Sequence, residues 1–299
     1  MLKTWFMMSR PWSFTCSFVP ITVGAALAGV QGHFNLSLYL LALIGGLAMH
    51  AGTNLINTYG DYVSGVDTIE SAATCPQLVT GVLKPNDVRN VAFYLFGFAT
   101  LIGLWLTYLC GWPVIVLGLL GLVAGYSYTA GIAYKYKGYG SIMVFLFMGP
   151  FMSWPAYYIQ TLESSWLPVW ASFPAGFLVT AVLTGNDLRD LEFDRAAGIK
   201  TLALILGLKK SMFLYCCLIT AAFASVVVMV ALAQLPWTAA LPLLLIPSTL
   251  KIFSNARTAA DGSREAMVLM EGVAAQLHFH FGLLLLAGII APLLLRGWL

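Results

Sequence analysis

Apolar runs of about twenty residues recur along this chain, separated by short polar breaks. A helix needs roughly 20 apolar residues to cross the hydrocarbon core of a bilayer. Nine such stretches can be marked, at about 13–31, 37–58, 89–110, 113–131, 140–160, 166–186, 210–233, 236–253 and 274–295. No segment alternates apolar and polar positions in the manner of barrel strands. The pattern predicts an all-α polytopic membrane protein of nine transmembrane helices.

Composition sharpens this reading. The chain has 299 residues, 60% hydrophobic and 9% charged, far below the roughly 25% charged share of soluble domains. So few charges could not cover a soluble surface. Charge placement supplies the orientation. With a cytoplasmic N-terminus, the inner segments hold Lys3, Arg10, Lys84, Arg89, Lys135, Lys137, Arg189, Arg195, Lys200, Lys209, Lys210, Lys251, Arg257 and Arg264, and the outer ones only Arg296. That is the asymmetry expected when positive residues stay inside. Eleven of the twelve acidic residues, all but Glu163, fall on the same inner side. A multi-pass protein of the inner (cytoplasmic) membrane, with membrane lipid around it and its chemistry facing the cytoplasm, is expected. No nucleic-acid partner is expected.

The candidate chemistry lies in two similar segments, 54–68 and 187–201. Leu55 matches Leu188, Asp61 matches Asp194, Gly65 matches Gly198 and Thr68 matches Thr201. Asn54, Asn57 and Asp61 in one, and Asp187, Asp190 and Asp194 in the other, recur at i, i+3 and i+7, the spacing of one helix face. Each set ends an outside-to-inside helix, the second and the sixth, and each is followed by a glycine suited to a C-cap. Acids there meet the negative end of the helix dipole, and a bound cation would compensate them. Magnesium fits: it takes oxygen ligands and is shared between carboxylates and phosphates. Interhelical polar contacts or solvated loop acids would explain one cluster; two matching clusters favour function. A repeat of this kind also fits a transporter, although transporter repeats are commonly inverted and these lie parallel.

Specific motifs add a family. Asn57-x3-Asp61 followed by Asp67, and Asp190-x3-Asp194 within Asn186–Ala203, resemble the paired aspartate motifs of the UbiA superfamily of intramembrane prenyltransferases. The run Arg10-Pro11-Trp12-Ser13-Phe14-Thr15 resembles the same family. Val144–Pro150 and Tyr157–Gln160 look like its 1,4-dihydroxy-2-naphthoate branch of menaquinone synthesis. The resemblance covers nearly the whole chain. It implies one transmembrane prenyltransferase domain over 1–299, with its helices around a central cavity. It also implies Mg2+-dependent transfer of a prenyl chain from an isoprenoid diphosphate to an aromatic quinone precursor.

By matched position, the resemblance makes Asp61, Asp67, Asp190 and Asp194 catalytic, and adds Asn57 and Asp187 as metal or diphosphate contacts. Lys137, Arg189 and Lys200 are expected to neutralise diphosphate oxygens, Arg189 also being explained by topology alone. Tyr126 and Tyr128 are candidates for facing a carbocation, or are interfacial belt aromatics. Alternatives within the class are a hydroxybenzoate or tetrapyrrole prenyltransferase and a membrane terpene cyclase; a lipid or diphosphate transporter lies outside it. One departure stands out: Cys75 occupies the place of an arginine that many relatives carry, which leaves Lys84 or Arg89 to compensate.

The other residues promise less. Cys16, Cys110, Cys216 and Cys217 read as small apolar-helix residues, and His50 as packing. His278 and His280 face different directions, against joint metal ligation. The N-terminal apolar stretch is expected to be retained, with residues 2–10 along the inner interface. Residues 69–88 and 254–272 read as mobile insertions, the first a lid that excludes water.

Overall fold

The computed structural model describes residues 1–72 and 75–296, with side chains as far as Leu293. The Arg296 side chain, expected alone on the outer side, lies outside the described residues, as do Ala73 and Thr74 in the expected lid. The described chain is almost entirely helical. Its α-helices are α1 (Leu2–Met8), α2 (Thr15–Val30), α3 (Leu36–Val63), α4 (Pro85–Cys110), α5 (Pro113–Ser127), α6 (Gly140–Phe147), α7 (Pro150–Thr161), α8 (Leu167–Ala171), α9 (Phe173–Arg189), α10 (Leu191–Ala196), α11 (Leu202–Leu206), α12 (Leu208–Ala231), α13 (Ile246–Ala260) and α14 (Arg264–Arg296).

Among the described residues, eight helical stretches are long and apolar enough to cross a membrane. The remaining expected span, 113–131, is the 15-residue α5, about 22 Å long at 1.5 Å per residue. Its start meets the far end of the bundle through Gly111, near the Tyr158 hydroxyl. Just past its end, Thr129 hydrogen-bonds the Ile56 carbonyl, 3.3 Å away. Three spans are broken internally. Gly149 and Pro150 divide α6 from α7, Ser172 separates α8 from α9, and a 3-10 segment, Trp237–Leu245, leads into α13. Such breaks survive where neighbouring helices satisfy the freed backbone.

Bundle packing relies on small residues, as helix contacts in lipid do. A Cβ on Gly24 would fall within 2.1 Å of the Ser153 carbonyl oxygen on α7, and one on Gly185 within 2.6 Å of the Glu271 nitrogen on α14. A buried core joins α2, α9, α12 and α14 through Val23, Leu178, Ile219 and Phe281.

Two boundaries move. Helix α14 begins at Arg264, ten residues before the expected 274, so 254–272 is helix, a turn with Gly262 at φ 101°, and helix again. Helix α3 runs to Val63 rather than 58, because its polar last turns are helical too. Within residues 2–10, Leu2–Met8 form α1, with Leu2 and Phe6 exposed and Met8 buried.

Candidate active site

The two acidic segments end in the same backbone turn. Val66 N–H bonds the Asp61 carbonyl (2.9 Å) and Gly65 N–H that of Tyr62 (3.2 Å); Ile199 N–H bonds the Asp194 carbonyl (3.2 Å) and Gly198 N–H that of Arg195 (3.1 Å). This is the Schellman closure of a helix, which needs a left-handed residue at C′. Gly65 and Gly198 supply it, at φ 73° and 72°. Asp61 and Asp194 therefore occupy equivalent positions one turn before a sharp exit.

Both segments line one cavity of about 380 Å³, with Asn57, Asp61 and Asp67 from the first and Asp190 and Asp194 from the second. Asn54, Asn57 and Asp61 share one face of α3, as the spacing predicts. The second set does not sit on one helix: Asp190 is the junction between α9 and α10. On α9, before that break, Asn186 rather than Asp187 lines the cavity; Asp187 is buried but does not line it.

Asp61 is the most densely held acid. Its Oδ2 accepts from Asn57 Nδ2 at 2.7 Å and from Lys135 Nζ at 2.9 Å; its Oδ1 accepts from Lys135 Nζ at 3.1 Å and from the Tyr136 hydroxyl at 2.6 Å. Burial alone would lower the Lys135 ammonium, but the Asp61 carboxylate outweighs it and holds Lys135 well above its usual range. Nζ also lies 5.8 Å from the centre of the Tyr128 ring.

Lys135 lines the cavity beside Asp61, at a position the sequence does not single out. Lys137 and Lys200 are exposed and line no part of the cavity. They instead join the two loops by backbone pairing, with Lys200 N–H on the Tyr136 carbonyl at 3.1 Å. Ala133, in the left-handed region at φ 49°, starts a 3-10 turn over Tyr134–Tyr136 that aims Lys135 inward. The aromatic pair also divides: Tyr128 lines the cavity, whereas Tyr126 is 39% exposed and stacks beside Phe93.

The cations on the cavity wall are Arg10, Lys135 and Arg189; Lys84 and Arg89, expected to compensate for Cys75, are not there. Cys75 is buried on that wall. Arg10 donates through Nη2 to Thr58 Oγ1 at 3.3 Å, and its buried Nε has no protein partner. Its backbone is left-handed at φ 57°, a strain that persists only where surrounding contacts enforce it. The signal for Arg10 lay in the Arg10–Thr15 motif; Lys135 had none beyond proximity to Lys137.

His50 is more than packing. Its Nδ1 meets Ser17 Oγ at 2.7 Å and its Nε2 meets Ser13 Oγ at 3.2 Å, and it lines the cavity. Asn54 donates to Ser13 Oγ and to the Ser9 carbonyl. His278 is buried with both ring nitrogens unpartnered, and His280 bonds the Gln276 carbonyl. Ser71, Ala72 and Cys75, from the segment expected to be a lid, line the cavity.

Burial raises two of the acids. It pushes Asp67 up to about 6, helped by the Asp61 charge. It pushes Asp194 up to about 7, opposed by Lys135 and reinforced by Asp190 and Asp61. A carboxyl raised on folding stabilises the fold at low pH, and that contribution is lost as pH rises through its folded value. Thermal melts in detergent without added metal should therefore show wild-type protein losing melting temperature, relative to Asp67→Asn/Asp194→Asn, as pH climbs from 5 to 8. Parallel curves for the two proteins would contradict the raised values.

Most of the metal-capable groups facing this cavity are oxygens, from Asn57, Asp61, Asp67, Asp190, Asp194 and Glu271, beside the single imidazole of His50 and the thiols of Cys16 and Cys75. Among the described residues no three His, Cys, Asp or Glu side chains converge into a closed metal site. A donor set of scattered carboxylates fits a hard cation that completes its shell with water and ligand oxygens.

Comparison with known proteins gives the family and the fold. Residues 17–280 match the UbiA prenyltransferase family. The chain is 32% identical over 234 residues to a 1,4-dihydroxy-2-naphthoate octaprenyltransferase of Bacillus subtilis, covering 78% of this chain and 75% of that protein. It is 31% identical over 280 residues to UbiA prenyltransferase domain-containing protein 1 of Mus musculus, covering 92% and 82%. A UbiA homolog from Archaeoglobus fulgidus, solved bound to GPP and Mg2+, shares the fold with a TM-score of 0.62 at 18% identity over 95% of this chain and 99% of that one. The chain belongs to the UbiA prenyltransferase family and is a multi-pass membrane prenyltransferase.

Proposed function

We propose that this enzyme transfers a prenyl chain from an isoprenoid diphosphate to a dihydroxynaphthoate-type quinone precursor, with Mg2+ as cofactor. The observation that carries this reading is the meeting of both acidic segments on one cavity that also has a broad apolar wall, including Leu41, Leu106, Phe147, Phe151 and Ile159. A long prenyl tail belongs against such a wall, away from water. The Bacillus relative's name supports the naphthoate acceptor; the Archaeoglobus homolog's bound GPP and Mg2+ support the donor and the metal.

In this reading Asn57, Asp61, Asp67, Asp190 and Asp194 would hold Mg2+ together with the diphosphate, and Asp187 would act from behind that wall. When bound, the metal supplies Lewis-acid stabilisation of the charge that develops on the leaving diphosphate. Lys135 and Arg10 add positive charge on the same wall, where water is scarce and each charge counts for more. The allylic C–O bond breaks with its electron pair going to diphosphate. A ring carbon of the acceptor then bonds the allylic carbon, and the ring loses a proton. Tyr128 presents its ring to the developing cation, and the segment carrying Ser71, Ala72 and Cys75 keeps water from the cavity mouth.

The single domain spans 1–299, with the segments at 54–68 and 187–201 as parallel copies; their shared turn supports this. The basic residues gathered at the acidic end support a cytoplasmic position for that end and an inner-membrane location for the protein. The test is mass spectrometry of products formed by purified protein with Mg2+, geranylgeranyl diphosphate and either dihydroxynaphthoate or hydroxybenzoate. Prenylated naphthoate product supports the proposal. Product from hydroxybenzoate alone overturns the acceptor. Pyrophosphate release without acceptor, together with a cyclised hydrocarbon, overturns prenyl transfer.

A further inference from the structure

Glu271 was not a candidate from sequence, yet it lines the cavity on α14 and is tied to the second acidic segment. Arg189 grips Asp190 with two bonds, Nε to Oδ1 at 2.8 Å and Nη2 to Oδ2 at 2.6 Å. The remaining edge of the same guanidinium, Nη1, binds Glu271, and Asn186 Nδ2 reaches that carboxylate at 3.4 Å. Two turns earlier on α14, Arg264 donates to the Arg189 carbonyl and lies 5.8 Å from the Phe193 ring. Gly185 makes this approach possible, since any side chain there would strike the Glu271 backbone.

Each Asp190 oxygen thus accepts one bond from Arg189. A cation and Arg189 cannot hold the same carboxylate with full strength, because each bond to one polarises the oxygens away from the other. If Asp190 turns to a metal-bound diphosphate, the Arg189 charge needs another anion in a poorly solvated wall. Glu271 is that anion, already in contact. We propose that Glu271 is a positioning residue that retains Arg189 and so releases Asp190 for the magnesium diphosphate. This rests on the proposed Mg2+-dependent reaction.

The test is thermal stabilisation of purified protein by Mg2+ at fixed geranylgeranyl thiolodiphosphate, an analogue that resists ionisation, together with the KM and kcat of turnover. Glu271→Gln keeps the shape but loses the charge. It should need about tenfold more Mg2+ for half-maximal stabilisation, the size expected from losing one charge-assisted bond. KM for the diphosphate should rise more than kcat falls. Glu271→Asp, which keeps the charge on a shorter arm, should recover part of the loss, and it serves alone if the Gln variant fails to fold. In an Arg189→Met background, Glu271→Gln should add nothing, since its effect passes through Arg189. Unchanged Mg2+ demand in both Glu271 variants, or an equal shift without Arg189, overturns the inference. Absence of any stabilisation in wild-type protein would instead overturn the proposed Mg2+-dependent function, and the inference with it.

Discussion

Asp61→Asn is expected to lower kcat/KM for prenyl transfer by about a thousandfold or more while leaving the protein folded. The substitution preserves shape, so the cavity wall remains. The Asp61 backbone carbonyl still closes the turn onto Val66. What changes is the charge and one face of the hydrogen-bond pattern. Asp61 now accepts from Asn57, Lys135 and Tyr136, all donors. An amide nitrogen would point a donor at one of them, and the ammonium would lose its counter-ion. Steady-state kinetics with a melting curve on the same preparation check this. A folded variant with turnover within about tenfold of wild type would make Asp61 a structural residue only.

Lys135→Met is expected to damage both stability and turnover. Lys135 has a side chain only 12% exposed and faces Asp61 at 2.9 Å. Removing one partner of a buried pair leaves the other charge uncompensated, at a cost of about 3 kcal/mol or more. The melting temperature should fall by several degrees, about the 2–4 °C per kcal/mol typical of large domains. Turnover should fall about a hundredfold, since a cation is lost from the wall proposed to hold the diphosphate. Lys135→Arg should restore the melting temperature by restoring charge. Lys137→Met, at an exposed position, should stay within about twofold of wild type in turnover. Equal effects at 135 and 137 would refute the distinction drawn between the two lysines.

The contrast between those lysines measures how much was legible in the chain. Two residues apart in a basic, aromatic stretch, they carry the same local signal. The choice between them is made by Ala133 in a left-handed conformation and the short 3-10 turn after it, which no periodicity announces. Glu271 was missed for a related reason. The expected span began at 274, so Glu271 fell in a presumed insertion, whereas α14 starts at Arg264 and carries it inward. The i, i+3, i+7 spacing makes Asp190 a helical position, but it is the joint between two helices, and on the helix before it Asn186 rather than Asp187 lines the cavity.

Hydropathy alone determined the helical membrane architecture, because a bilayer offers the backbone no other partners and leaves helices of a set length as the solution. Spacing alone determined the first acidic face and the glycine that ends each acidic segment, because both follow from geometry within a few turns. Which cation meets which carboxylate was decided only by tertiary structure. Arg10, Lys135, Arg189 and Glu271 come from segments far apart in the chain, and their contacts depend on where helix breaks and close glycine packing bring those segments together.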